Sequence, residues 1–399
     1  MNILQLSNRL GYPPKDGGAI GIYNYTKAYH DLGHDVTVLA MNTKKHFYSL
    51  SQLPDSYKSL AKINAINVDS SVSVLGALMN LFSTESYHIS RFISKDYDEE
   101  LKALLQNKEY DIVHLDGLHL SPYVETIRQH SKAKVAMRAH NVEYMIWERV
   151  AMNGSIWPKS AYLKLLAKRL KKYEAQRLNV YDMLVAITPE DSKIFKEDGC
   201  NIPVTVCPAG LDLDQYKVDK TKIESMSLFH LGALDWVPNQ QGIKWFLSEV
   251  WPKVNSKFPE LKFYIAGRNM PKNLLNMNLQ NVEVVGEVES AIDFMNSKSI
   301  MLVPLLSGSG MRIKIIEGLA LEKSIVTTSI GAEGINYEDG KNLLIANNPD
   351  EFVTQIERLI ADREMVNDLG ANARKLIENE YSNFKLVESL VEEYKKMIV

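Results

Sequence analysis

Residues 303–334, VPLLSGSGMRIKIIEGLALEKSIVTTSIGAEG, read as a strand, a bend of small residues, a helix and a second strand. The apolar run ends at Leu306, the bend Ser307-Gly308-Ser309-Gly310 carries no bulky side chain, and helical spacing starts near Met311 and runs over Ile313 to Leu321. A bend of this kind opening onto a helix presents backbone N–H groups and the positive helix end to an anion, as phosphate sites do. Arg312 and Lys314 fall in the first turn, where the helix dipole disfavours cations unless an anion sits among them. Their placement therefore points to a diphosphate. Glu317 lies one turn past Lys314, where its carboxylate is placed to accept from the paired hydroxyls of a ribose. The same letters also fit an i,i+3 ion pair between Lys314 and Glu317 on a solvated face.

The strand–helix–strand unit recurs on both sides of this segment. Towards the N-terminus, the strand Ile3 to Leu6 precedes helical spacing from Ile20 to Leu32 and the strand GHDVTVLA; YDIVHLD, AKVAMRAHN and YDMLVAIT follow. After a stretch without strands, the pattern restarts at Ser227 with LFHLGAL, a helix over Asn239 to Ser256, LKFYIAGR, VEVVGEV, and finally SIVTTSIG and NLLIANN. Near-continuous apolar strands belong to parallel sheets buried on both faces. The expectation is α/β: two Rossmann-like, doubly wound domains, 1–218 and 219–382, joined by a linker near 214–226. Ligands of such sheets lie beyond the carboxyl ends of the strands. The tail has Phe384, Val387, Leu390, Val391 and Tyr394 at helical spacing, an amphipathic helix over 383–399 that is expected to return to the N-terminal domain.

Composition sets the class. A chain of 399 residues exceeds one ordinary core, and 45% hydrophobic with 24% charged residues is globular usage. No run of 18 apolar residues is present to span a bilayer, and MNILQLSNRL lacks the pattern of a secretory leader. The two cysteines, Cys200 and Cys207, are too few and wrongly spaced for a zinc or redox site and suit a reducing cytosol. A net charge of −3 argues against a nucleic-acid partner.

The segment SGSGMRIKIIEGLALEKSIVTTSIGAEGI resembles the nucleotide-sugar segment of family 4 retaining glycosyltransferases. PPKDGGAIGIYNYTKAYHDLGHDVTVL, RAHNVEY, PAGLDLDQY and LGALDWVPNQQGIKWF agree with that family in the same order, over almost the full length. The resemblance implies the GT-B architecture, with two Rossmann-like domains facing a cleft, and transfer of a sugar from a nucleotide donor to a glycan or lipid-linked acceptor in cell-surface polysaccharide or glycoconjugate synthesis. No cofactor or metal is implied.

Carried over by position, Glu317 matches the second glutamate of the family's E-x7-E motif, which similar enzymes use on the donor ribose. The first glutamate falls at Ser309, so the contacts to the donor sugar's hydroxyls depart from the pattern, and the backbone of Gly310 and Met311 is expected to serve instead. Where many relatives carry an Arg and a Lys for the diphosphate, the segment after Gly232 reads Leu234 to Asn239 without a basic residue. That charge is therefore expected from Arg312 and Lys314. Gly286 and Val288 occupy the place where similar enzymes hold the base through the backbone, and Arg268 flanks the nucleotide. His140 matches the cleft histidine that holds the transferred sugar against the leaving group; Gly17-Gly18, with Asn141, resembles the glycine loop near acceptor and phosphates.

Asp212-x-Asp214 and His114-x-Asp116-x-x-His119 imitate metal motifs; the first lies outside the donor half and the second lacks a fourth ligand. The segment 159–177 carries Lys159, Lys164, Lys168, Arg169, Lys171, Lys172 and Arg177 against Glu174, with Leu163, Leu166, Leu170 and Tyr173 at helical spacing. It fits a core-packed helix with a solvated face, and leaves open peripheral contact with the inner face of an anionic membrane. Competing functions are a nucleotide-sugar epimerase of the same shape and a non-catalytic sugar-nucleotide binding subunit.

Overall fold

The computed structural model describes residues 1–14, 17–73, 80, 86–152, 159–223, 226–308 and 310–398, apart from the side chains of 149, 152, 159 and 160. The chain forms two compact units, Met1–Gly210 with Asn383–Val399, and Leu211–Ser382. Both are α/β.

In the first unit, β1 (Asn2–Ser7), β2 (Asp35–Thr43), β3 (Lys62–Val68), β4 (Ile112–Asp116), β5 (Lys134–Ala139), β6 (Met183–Ala186) and β7 (Val204–Val206) pair in the order β3-β2-β1-β4-β5-β6-β7. All pairs are parallel, with Ser7 opposite Asp116. In the second unit, β8 (Ser227–Leu231), β9 (Lys262–Ala266), β10 (Val282–Gly286), β11 (Ile300–Val303), β12 (Ser324–Thr327) and β13 (Leu344–Ile345) pair in the order β10-β9-β8-β11-β12-β13, again parallel. The winding direction reverses between β1 and β4 in one sheet and between β8 and β11 in the other. Loops leaving those strands diverge and open a crevice, the usual ligand position.

Helices cover the sheets through apolar stripes. Ile315, Ile316, Leu319 and Ala320, all fully buried on the helix Ile313–Ala320, cluster with Met301, Val303 and Ile325 of β11 and β12. The helix Asn383–Ile398 packs on the helix Gly17–Asp31 of the first unit by burying Val387, Leu390, Val391 and Tyr394. Each such side chain contributes about 1.5–3 kcal/mol. Phe384, counted in that stripe from spacing, is 43% exposed.

Three boundaries differ from the sequence reading. Residues 211–218 fold with the second unit. There Leu211 bridges to Ser382, and Tyr216 is buried in that unit's core. The helix expected over Asn239 to Ser256 begins at Val237 and widens at Phe246–Val250 before continuing as Trp251–Lys257. Pro252 lacks the N–H that a regular turn needs at this break. Strand β11 ends at Val303, and the helix starts at Ile313 with Arg312 as its N-cap, because Gly308 (φ 127°) and Gly310 (φ 78°) carry the chain through left-handed backbone.

Candidate functional site

The bend of small residues leaves β11 at the switch point of the second sheet, beside the turn that leaves β8 at Gly232. Backbone approach there is close. A Cβ on Gly267 would sit 1.7 Å from the Gly232 carbonyl oxygen, and one on Gly232 would lie 2.9 Å from both Asn239 Nδ2 and Lys314 Nζ. Gly232 N–H donates to Ala266 O (3.1 Å), and Gly267 N–H to Gly286 O (2.7 Å). Gly286, at φ 81°, interrupts the β10 register, which leaves its backbone turned out of the ladder. Val288 is half-buried against the core, and the half-exposed Arg268 accepts through its carbonyl from Leu234 N–H (3.0 Å).

Arg312 is 6% exposed. Its guanidinium lies 5.3 Å from the Trp236 ring centre, donates from Nη1 to Gly310 O (2.5 Å), and reaches Glu333 only at 4.0 Å. This cation–π shelf holds a charge beside the bend. Lys314 turns inward and donates from Nζ to Asn239 Oδ1 (2.6 Å). Burial, with the Arg312 charge added, lowers its ammonium pKa to about 7. His230, fully buried on β8, bonds Leu302 O through Nδ1 (2.9 Å), and its Nε2 has no partner among the described residues. Burial and Lys314 hold its pKa well below the ordinary histidine value.

Glu317 turns to Tyr216, whose hydroxyl donates to Oε1 (2.8 Å), and burial raises its carboxyl pKa. The i,i+3 pair with Lys314 is therefore replaced by two separate partners, Asn239 and Tyr216. Met311 packs half-buried against the core beside Gly310. Ser309 lies outside the described residues. The structure thus brings Gly232, Gly310, Met311, Arg312 and Lys314 to one bend and puts Glu317 one turn along. Tyr216, Trp236, Asn239 and His230 complete the surroundings and were not singled out in the sequence. Tyr216 and Asn239 do stand inside the quoted PAGLDLDQY and LGALDWVPN segments, but nothing local marks them.

In the first unit, His140 follows β5 and donates from Nε2 to Asp116 Oδ1 (3.3 Å). Asp116 ends β4 fully buried, with Arg138 Nη1 at 3.3 Å on the same oxygen and Gln5 Nε2 at 2.7 Å on the other. Against the penalty of burial, His114, His140 and Arg138 hold its carboxyl well below the usual range. His140 is pushed down by burial and by Arg138, partly offset by Asp116. A neutral ring with Nε2–H on Asp116 leaves Nδ1 as the free acceptor. Gly17 and Gly18 form the start of the helix Gly17–Asp31 rather than a loop, since helical hydrogen bonding begins there. Gly18, His140 and Asn141 line one cavity of about 640 Å³.

The metal look-alikes resolve locally. His114 Nδ1 bonds Tyr394 OH (2.8 Å), His119 packs against Phe92 with ring centres 4.5 Å apart and the planes tilted by 55°, and Asp212 accepts from Gln215 (2.9 Å). No cluster of metal-ligating side chains occurs among the described residues. Both cysteines are buried free thiols. On the helix Lys159–Arg177, Leu163, Leu166 and Leu170 are buried, while Lys164, Lys168, Lys171 and Lys172 are exposed. No helix among the described residues is long and apolar enough to cross a membrane.

Two doubly wound parallel sheets, the second with a cationic bend at its switch point, are the GT-B architecture of glycosyltransferases. The chain belongs to Glycosyltransferase Family 4: that family profile matches residues 15–215, and the profile of Glycosyl transferases group 1 matches 226–362. An uncharacterized 44.6 kDa protein in the cps region of Klebsiella pneumoniae is 24% identical over 98% of this chain and 99% of its own length. The capsular polysaccharide biosynthesis glycosyltransferase CapM of Staphylococcus aureus is 24% identical over 51% of this chain and 57% of its own. Among solved structures, Anabaena HepE in complex with UDP superposes with a TM-score of 0.70 at 13% identity, covering 99% of this chain and 100% of that one.

Proposed function

We propose that the protein is a retaining, metal-independent hexosyltransferase that moves a sugar from a nucleotide donor to a glycan or lipid-linked acceptor in surface-polysaccharide synthesis. The observation that carries this reading is the gathering of two cationic side chains, the buried Arg312 and the half-buried Lys314, at the bend beyond β11. Burying two cations side by side costs free energy unless an anion joins them, and a pyrophosphate supplies that anion. The HepE complex, in which a protein of the same fold holds UDP, supports a nucleoside diphosphate as the ligand class.

In this reading the bond between the anomeric carbon and the diphosphate oxygen breaks while the acceptor oxygen bonds to the same face, and the acceptor proton passes to the departing phosphate. Charge gathers on the diphosphate in the transition state. Arg312, Lys314 and the N–H groups around Gly310 and Met311 meet it already in place, so they stabilise that state more than the bound donor. These cations take the part a metal plays in other architectures. Glu317, raised in pKa and held by Tyr216, accepts from the ribose hydroxyls; Gly286, Val288 and Arg268 border the base. His140 and Asn141, with Gly17 and Gly18, serve the transferred sugar and the acceptor. Membrane contact through 159–177 is electrostatic here, because that helix spends its leucines on the core of its own unit.

The test is turnover of a nucleotide-sugar panel by the purified protein with chelator present, with the product anomer read by NMR. Retention with transfer or slow hydrolysis supports the reading. Inversion, dependence on metal, epimerised donor, or binding without turnover each refutes it. Arg312→Ala should raise the barrier by about 2–4 kcal/mol.

A further inference from the structure

His230 on β8 is fully buried, and one bond fixes its ring: Nδ1 stands 2.9 Å from Leu302 O. A carbonyl oxygen only accepts, so Nδ1 carries the hydrogen. Burial, with the Lys314 charge added, disfavours the imidazolium, and the neutral ring leaves Nε2 as a bare lone pair. Nothing among the described residues donates to that nitrogen. A buried acceptor left unmet costs free energy, which a donor brought to it on ligand binding would recover.

The donor at hand is Lys314. Its Nζ and His230 Nε2 both face the open side of Gly232: a Cβ there would meet Nζ at 2.9 Å and Nε2 at 3.2 Å. Glycine thus leaves the gap between the two nitrogens without a side chain, and any other residue at 232 would crowd it. An ammonium has three N–H donors. One of them goes to Asn239 Oδ1 (2.6 Å), and Asn239 is itself pinned through Nδ2 to Ala233 O (2.8 Å). Lys314 has no second acceptor among the described residues.

We propose that His230 is a positioning residue that acts through Lys314: once a diphosphate lies at the bend, Lys314 Nζ donates to Asn239 Oδ1, to a phosphate oxygen and to His230 Nε2. The proposal rests on the transferase reading above and adds the residue that aims its lysine. Three acceptors then meet three donors, which holds the ammonium at one point on its flexible four-carbon stem. A neutral imidazole suits this place better than a carboxylate. A carboxylate would cancel the charge meant for the phosphate, whereas a lone pair directs the ammonium and leaves its charge intact.

UDP is titrated into the full chain by calorimetry at neutral pH. His230→Phe keeps a planar ring and removes both nitrogens, and should weaken UDP at least about tenfold. His230→Gln, whose amide both donates and accepts, should stay within about threefold of wild type. In a Lys314→Met background, His230→Phe should cost less than about twofold more, because the lysine it positions is gone. In the wild type, nitrogen NMR should show the His230 Nε2 resonance moving upfield on adding UDP, as a bare imidazole nitrogen does when it accepts a hydrogen bond. Uridine, which carries no phosphate, should leave it in place. This readout decides the matter should a variant at the buried position fold poorly. An unchanged affinity in folded His230→Phe, an equal loss with and without Lys314, His230→Gln as weak as His230→Phe, or an Nε2 resonance unmoved by UDP would each overturn the proposal. Failure of the wild type to bind UDP strikes the transferase reading instead, and is seen in the first titration.

Discussion

Protonation of Lys314 should govern how tightly a sugar nucleotide is held. Its Nζ donates to Asn239 Oδ1 at 2.6 Å, beside Arg312, with no carboxylate partner among the described residues, and its pKa is about 7. A diphosphate supplies the missing counter-charge and draws the proton back. If only the ammonium form binds, affinity follows the charged fraction, which falls from about 0.9 at pH 6 to about 0.03 at pH 8.5, a loss of roughly 30-fold or about 2 kcal/mol. At pH 7.5 only about a quarter of Lys314 is charged beforehand, so binding should take up about 0.8 proton. The sign for the unliganded protein is also set. Its folded pKa lies below the unfolded value, so the unfolded chain holds more protons between about 7 and about 10.4, and stability rises with pH through that window. Calorimetry with UDP-glucose in buffers of differing ionisation heat reads both quantities; the diphosphate diester itself does not titrate there. Lys314→Met should bind weakly with no such pH dependence. Affinity flat within threefold over this range in the wild type, or the same slope kept in Lys314→Met, would refute the reasoning.

Gly267→Ala should lose both stability and donor affinity, because its Cβ meets the Gly232 carbonyl at 1.7 Å and its φ is 154°; about 2–4 kcal/mol in urea denaturation is expected. Asp116→Asn removes the anion from beside the buried Arg138 and should cost about 3–5 kcal/mol at neutral pH. Because the Asp116 carboxyl is held well below its ordinary value, its stabilisation is present above the unfolded pKa and is lost only as pH falls through the folded one; the gap between variant and wild type should match at pH 7 and pH 5 and narrow in strong acid. Binding to anionic phosphatidylglycerol vesicles through Lys164, Lys168, Lys171 and Lys172 should vanish near 0.5 M salt, where the Debye length is about 4 Å; sedimentation that resists salt would mean apolar insertion and contradict the buried leucines.

Much of this molecule was legible in one dimension. Continuous apolar runs such as IMLV and SIVT marked parallel strands, since a strand buried on both faces tolerates little else. The bend 307–310 announced itself because small residues before a helix are a local pattern, and the tail stripe of Val387, Leu390, Val391 and Tyr394 was set by helical period alone. The partners were another matter. Lys314 and Glu317, three apart, looked like a pair, yet each bonds a residue 75 and 101 positions away. Arg138, read only as part of a strand, became the buried counter-charge of Asp116, and Tyr216 joined the second unit instead of the first. Periodicity is written into neighbours within a turn or a pleat. Which distant residues meet at a switch point depends on the order in which strands pair, and that order exists only once the sheet has formed.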